Sequence, residues 1–164
     1  MEGNEPEGFD RIFDHPSFRR AAPVGVEGVY GIRPSDAVFN MQVTKMDLRP
    51  GGTFLYGFGS TPAGDMWGKF VYREIVPPEC LVFVVSFTDP DGNPVRHPLS
   101  PTWPLEVLNT MTLSEQDGKT TLTIRAVPIN ATEEERMTFE AGLKSMEHGF
   151  GGALDRLVEH LATE

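Results

Sequence analysis

A catalytic or metal site in this chain would have to draw on four histidines and a single cysteine. His15 and His97 each precede a proline, which biases the backbone there away from helix. His148 and His160 lie twelve residues apart on one segment, too far to share a metal ion. No His-Glu-x-x-His or Cys-x-x-Cys spacing occurs, and no Gly-x-Ser-x-Gly elbow. Glu147 and His148 are adjacent, so on a helix they point in different directions. Cys80 has no partner for an internal disulfide, and just after Pro77-Pro78-Glu79 it reads as a small residue at a strand start. Asp47 with Arg49, and Arg73 with Glu74, read as surface pairs. His97 stands beside Arg96 in a proline-rich stretch, where it is either a polar ligand contact or a loop-ordering hydrogen-bond partner. No metal, cofactor or catalytic residue is expected.

The aromatic and sulfur-bearing residues say more. Trp67, Phe83, Phe87, Trp103, Met111, Met146 and Phe150, with His97 at the mouth, are the candidates for lining an adaptable apolar pocket. For any one of them the alternative is plain core filling. Residues at odd and even positions of one strand cannot all face inward, so part of this set must point away.

The elements that would carry them follow from periodicity. Residues 38–48 alternate with a phase change near Lys45 that predicts a bulge. Arg49-Pro50-Gly51-Gly52 is a turn, and Phe54, Tyr56 and Phe58 follow at period two. After the turn at 61–65, residues 66–76 form a strand with two apolar faces: Trp67, Val71 and Ile75 against Met66, Phe70 and Tyr72. Residues 81–87 are a strongly β-prone run. Residues 89–104 hold five prolines and predict a long loop. A hairpin over 105–114 and 120–127 comes next, around 115–119. Thr132 and Glu135 form a capping box, and an apolar stripe runs through Phe139, Leu143, Met146, Phe150, Ala153, Leu157 and Leu161. That predicts a helix of about 30 residues, roughly 45 Å long, lying against the sheet. Gly142, Gly149, Gly151 and Gly152 on it predict either close packing or room for a ligand or kink.

Length and composition set the limits. The chain of 164 residues is the size of one domain. A net charge of −10 repels phosphate backbones, so nucleic acid is not an expected partner. No apolar run approaches the ~20 residues of a membrane span, and no secretory leader is evident, so a cytoplasmic protein without membrane attachment is expected.

Several segments together resemble one family. They are Met46-Asp47-Leu48-Arg49-Pro50-Gly51-Gly52, Trp67-Gly68-Lys69-Phe70-Val71-Tyr72-Arg73-Glu74-Ile75, and Arg96-His97-Pro98 followed by Trp103-Pro104. Asn130-Ala131-Thr132-Glu133-Glu134-Glu135-Arg136 and the run from Gly149-Phe150 to Leu154-Asp155-Arg156-Leu157 belong with them. Over residues 38–163 the chain is similar to bacterial proteins related to the activator of the heat-shock-protein-90 ATPase, in the START-like, birch-pollen-allergen-like superfamily. The resemblance implies an α+β helix-grip fold, a curved antiparallel sheet wrapped around a long C-terminal helix that closes a cavity. It brings no nucleophile or metal set. The expected function is binding of a small hydrophobic molecule between sheet and helix. A cyclase- or hydrolase-like enzyme using Tyr72, His97 or Asn109 is the alternative, and a chaperone-interaction module is a further one. A homodimer is left open.

Residues 1–37 fit the family poorly. Members open with a strand and then a helix of the pattern Arg-Val-Phe-Asp-Ala-Pro-Arg-x-Leu-Val-Trp-Lys-Ala-Tyr-Thr. Here the text from Pro16 to Tyr30 is rich in glycine and proline. Read one base later, codons for Val24-Gly25-Val26-Glu27-Gly28-Val29-Tyr30 give Leu-Val-Trp-Lys-Ala-Tyr-Thr, and the shift extends back to Pro16. Residues 16–37 therefore read as an out-of-frame version of the family's own N-terminus, with a disturbed first strand and short helices, the alternative being true divergence. The coding DNA is expected to spell the family pattern in the shifted frame between these positions. Codons that do not translate that way would end the idea.

Overall fold

The structure is a computed structural model and describes residues 9–15, 41–61, 64–77 and 79–143. The seven strands are β1 (Phe9–His15), β2 (Met41–Met46), β3 (Thr53–Thr61), β4 (Gly64–Val76), β5 (Cys80–Thr88), β6 (Val107–Gln116) and β7 (Lys119–Pro128). They form one antiparallel sheet in the order β1-β7-β6-β5-β4-β3-β2. Every neighbouring pair from β2 to β7 is consecutive in sequence, with the proline-rich loop joining β5 to β6 and shorter connections joining the others. At the β6–β7 hairpin Asp117 and Gly118 take φ of 52° and 76°. Both are left-handed, as a two-residue turn matched to strand twist requires.

Three register shifts curve the sheet. They fall at Val43/Lys45, Phe58/Thr61 and Tyr72/Glu74. The first is the bulge expected near Lys45. It returns Met46 to the side of Val43, because Val43 pairs with Tyr56 and Met46 with Phe54. The third was not legible in the alternation of residues 66–76. Arg73 is the extra residue, and beyond it Ile75 pairs with Leu81 on the side of Tyr72 and Phe83. Ile75 thus joins Phe70 and Tyr72 rather than Trp67 and Val71.

Phe9–His15 pairs with β7 along its whole length, from Phe9↔Ala126 to His15↔Thr120. The segment contains no proline or glycine, and a ladder asks only for correctly spaced backbone groups. Residues 16–37 lie outside the described residues.

Helix α1 (Glu133–Ala141) begins at Thr132, whose hydroxyl accepts from the Glu135 N–H at 3.2 Å. In return Glu135 Oε2 accepts from the Thr132 N–H at 2.9 Å, completing the expected capping box. Phe139 is fully buried with Val107 and Ala126, which puts the helix on the face of the sheet that carries those two residues. The described helix runs to Ala141, with Gly142 as its C-cap, and Leu143 is helical again. The rest of the expected apolar stripe, beyond Leu143, lies outside the described residues. No helix among the described residues is long and apolar enough to cross a membrane.

A latch from the proline-rich loop fixes the helix. Arg96 donates to Glu135 Oε1 and to the Trp103 carbonyl. The Thr102 and Thr138 hydroxyls share a hydrogen bond of 2.8 Å. The Trp103 ring packs 5.5 Å from Phe139. An alanine Cβ at Gly142 would lie 2.7 Å from the Trp103 ring, so this glycine is where helix and indole meet. Close packing is the role of Gly142, and its contact is the loop tryptophan rather than the sheet.

The Thr132 N–H first, and Arg96 second, hold the Glu135 carboxyl below the usual glutamate range. Its charged form is therefore the one the fold favours. That contribution is complete above the ordinary glutamate value of about 4.3 and is lost as pH falls through the lowered value. Urea unfolding of Thr132→Ala is expected to show a loss of about 1 kcal/mol at neutral pH. Glu135→Gln keeps an acceptor for the cap but no charge. Its stability deficit against wild type should be present at pH 7 and shrink toward zero on acidification below pH 4. A deficit independent of pH would contradict this assignment.

Candidate ligand-binding face

The face of the sheet on which Phe139 packs carries an aromatic array. Register places Phe54, Phe70, Val85, Val107 and Pro128 in one row across the sheet, and Tyr72, Phe83, Asn109 and Ala126 in the next. Leu81, Met111 and Ile124 make a third. Phe70 stacks on Phe83 at 4.5 Å, Phe54 lies 5.3 Å from Phe70, and Tyr72 meets Phe83 edge-on at 6.4 Å. Tyr56 lies edge-on to Phe70 at 5.4 Å. It can do so because its strand neighbour is Gly68, where a Cβ would sit 2.6 Å from the Tyr56 hydroxyl oxygen. Such contacts add specific geometry to a large apolar burial.

Two polar side chains interrupt this surface in the same row. Asn109 is 3% exposed, and its Nδ2 donates to the Val107 carbonyl at 3.1 Å. Its amide oxygen takes no part in that bond. Tyr72 is 1% exposed, and its hydroxyl has no hydrogen-bond partner among the described residues. Burial pushes the Tyr72 phenol up to about 12, so it stays a neutral donor at physiological pH. Burial raises Tyr56 as well. Tyr72 and Asn109 were named from the sequence only as polar candidates, because both faces of β4 are apolar and alternation does not say which one is inward. Alternation was also silent on their sharing a row, because that depends on the pairing of β4, β5 and β6.

The sequence-predicted site residues do not all gather here. Phe83 and Met111 stand in the core cluster of this face. Phe87 is on the same side by register, since it pairs with Gly68 as Tyr56 does, but it lies toward the edge and contacts His97 edge-on at 4.6 Å. Trp103 packs with Val107, Ala126 and Phe139 near the helix start. Trp67 does not face the helix. It pairs with Gly57 and Thr88, one residue out of phase with Phe70, and its indole lies over Gly57 on the opposite face, 3.0 Å from a hypothetical Cβ there. Its placement in the pocket is thus corrected by the pleat. Met146 and Phe150 lie outside the described residues.

The remaining chemical candidates resolve into structural contacts. His97 Nδ1 accepts from the Leu99 N–H at 3.1 Å, which is a loop-ordering bond, and burial lowers the His97 pKa. Burial, and then the Glu74 charge, raise the Cys80 thiol, so it is not poised as a thiolate. Arg49 pairs with Asp47 at 2.8 Å on the exposed turn. Among the described residues no three His, Cys, Asp or Glu side chains converge as metal ligands would.

A curved antiparallel sheet, with its aromatic face turned to a C-terminal helix, defines a helix-grip protein. The chain belongs to the family of activator of Hsp90 ATPase homolog 1-like proteins, whose model matches residues 35–162. No curated protein matches the chain. Among solved structures it is similar to protein Ms6760 of Mycobacterium smegmatis, with a TM-score of 0.66 and 23% identity over 97% of this chain and 94% of that one. A protein of Arthrobacter aurescens gives a TM-score of 0.69 and 19% identity over 97% and 88%. Ara h 8.0201 gives 0.60 and 11% over 96% and 99%. At these identities the likeness is one of fold.

The Tyr72 hydroxyl yields a direct test. A buried donor without a partner costs about 1–3 kcal/mol. Tyr72→Phe is therefore expected to keep or raise the thermal unfolding midpoint of the unliganded protein. A lowered midpoint in a thermal melt would show that the hydroxyl has a partner within the folded chain.

Proposed function

We propose that the protein binds a small, largely apolar molecule between the aromatic face of the sheet and the C-terminal helix. One observation carries this. The rows from Leu113/Leu122 to Val107/Pro128 present apolar side chains and, buried among them, the partnerless Tyr72 hydroxyl. A face meant only to pack would gain from phenylalanine at that position, since an unpaired buried hydroxyl is a cost without return. The family's fold adds a scaffold in which helix and sheet enclose such a face.

Binding is favoured over turnover by placement. His97 is tied to Leu99 and sits against Phe87. Phe87 is four residues along β5 from Phe83, the row of Tyr72 and Asn109, which is about 13 Å at strand rise. The three polar candidates for catalysis thus do not converge on one reacting atom.

Native mass spectrometry of protein purified from its own host is expected to reveal a copurified organic molecule, released on denaturation. In parallel, N-phenyl-1-naphthylamine, a neutral apolar fluorophore, should show saturable, stoichiometric emission enhancement. Met111→Trp, which fills space on this face, should reduce that enhancement at least several-fold. A bare mass together with a flat titration would overturn the assignment.

A further inference from the structure

Resting on that binding site, we infer that its occupant is uncharged and carries a hydrogen-bond-accepting oxygen, such as a ketone, ester or ether oxygen on a ring system, which the Tyr72 hydroxyl receives in the row it shares with Asn109. The donor is fixed before any ligand arrives. Tyr72 is held by β4 between Gly51 and Gly52, since its carbonyl accepts from the Gly51 N–H at 2.8 Å and its N–H donates to the Gly52 carbonyl at 3.0 Å. Its ring is braced edge-on by Phe83. The hydroxyl therefore ends at a set point above an aromatic floor. A preorganised donor of this kind loses little freedom on binding.

The described sheet side around Tyr72 favours a neutral occupant. In the three rows around Tyr72 the described side chains of β3 to β7 include no Lys, Arg, Asp or Glu. The nearest ion pair of the helix, Arg96 with Glu135, is committed to the latch. A carboxylate brought onto this face would surrender its hydration for a single phenol donor, and an isolated buried charge is far costlier than a buried carbonyl. A neutral oxygen has the opposite balance, because it relieves a donor that is already dry. Asn109 lies two strands from Tyr72, about 10 Å between backbones. Its amide oxygen can take a hydroxyl or amine of the same molecule.

The experiment uses three naphthalenes of matched shape: 2-acetylnaphthalene, 2-ethylnaphthalene and 2-naphthoate. Their affinities for the full chain and for Tyr72→Phe are measured by equilibrium dialysis. With wild type, the ketone and the hydrocarbon are expected to bind and the carboxylate to bind at least ten-fold more weakly than the ketone. Tyr72→Phe is expected to weaken the ketone about five- to ten-fold, the worth of one neutral hydrogen bond, and to leave the hydrocarbon within two-fold. Unchanged ketone affinity in Tyr72→Phe, with the hydrocarbon still bound, would overturn this inference while the binding site itself stands. Equal weakening of both probes would do the same, since it would mark Tyr72 as a packing residue. Failure of every probe to bind wild type would remove the binding site and the inference together.

Discussion

The Glu135 carboxylate holds the described architecture together. It is 7% exposed, at the first turn of the helix, where the dipole favours a negative charge. One oxygen closes the capping box with Thr132 and the other receives Arg96. A buried carboxylate needs several donors to remain charged, and it obtains them from two segments far apart in sequence. The helix start, the proline-rich loop and the Trp103 ring are thereby fixed to one another. With the helix so placed, Phe139 reaches Val107 and Ala126. Arg96 is half-exposed and can be resolvated, so most of the penalty for breaking the contact falls on the Glu135 side.

This explains why two separate stretches of the family's sequence pattern belong together. Arg96-His97-Pro98 with Trp103-Pro104 is one, and Asn130 to Arg136 is the other. In space they are the two halves of the latch. Neither contributes a group to the aromatic floor. What they determine is the position of the helix over it. The proline-rich loop is thus a strut for the helix start, and His97 is part of its internal bonding.

Much of the fold was legible in the sequence because its signals are local. Period-two runs, the Arg49-Pro50-Gly51-Gly52 turn, the Asp117-Gly118 hairpin and the Thr132/Glu135 box each fix their element without reference to distant residues. The site was legible only in part, because facing depends on phase and phase is changed by bulges. The shift after Tyr72 moves Ile75 to the helix side, and no alternation rule shows it, since both faces of β4 are apolar. Trp67 failed for the related reason that a large aromatic is as suited to covering a glycine on the outer face as to lining the inner one. Its partner Gly57 was visible in the text, but their pairing was not.

The contrast between latch and floor bears on how the molecule divides its work. At the rim of this face lie the charge and strong hydrogen bonds of Arg96, Glu135, Thr102 and Thr138. The described sheet rows around Tyr72 carry no charge, and the Tyr72 hydroxyl is a buried donor among them, with the Thr120 hydroxyl another further along the same face. Rim contacts of this kind can be broken and resolvated, whereas the stacked Phe54, Phe70 and Phe83 have no such exchange with water. Separation of the helix from the sheet would therefore begin at the rim and be opposed chiefly by apolar burial beneath. A molecule entering the interior would replace that burial nearly in kind, and at Tyr72 it would add a hydrogen bond that the empty protein lacks. Stability of the fold and occupancy of the face are then coupled through the same few rings, with the phenol as the point where the two differ.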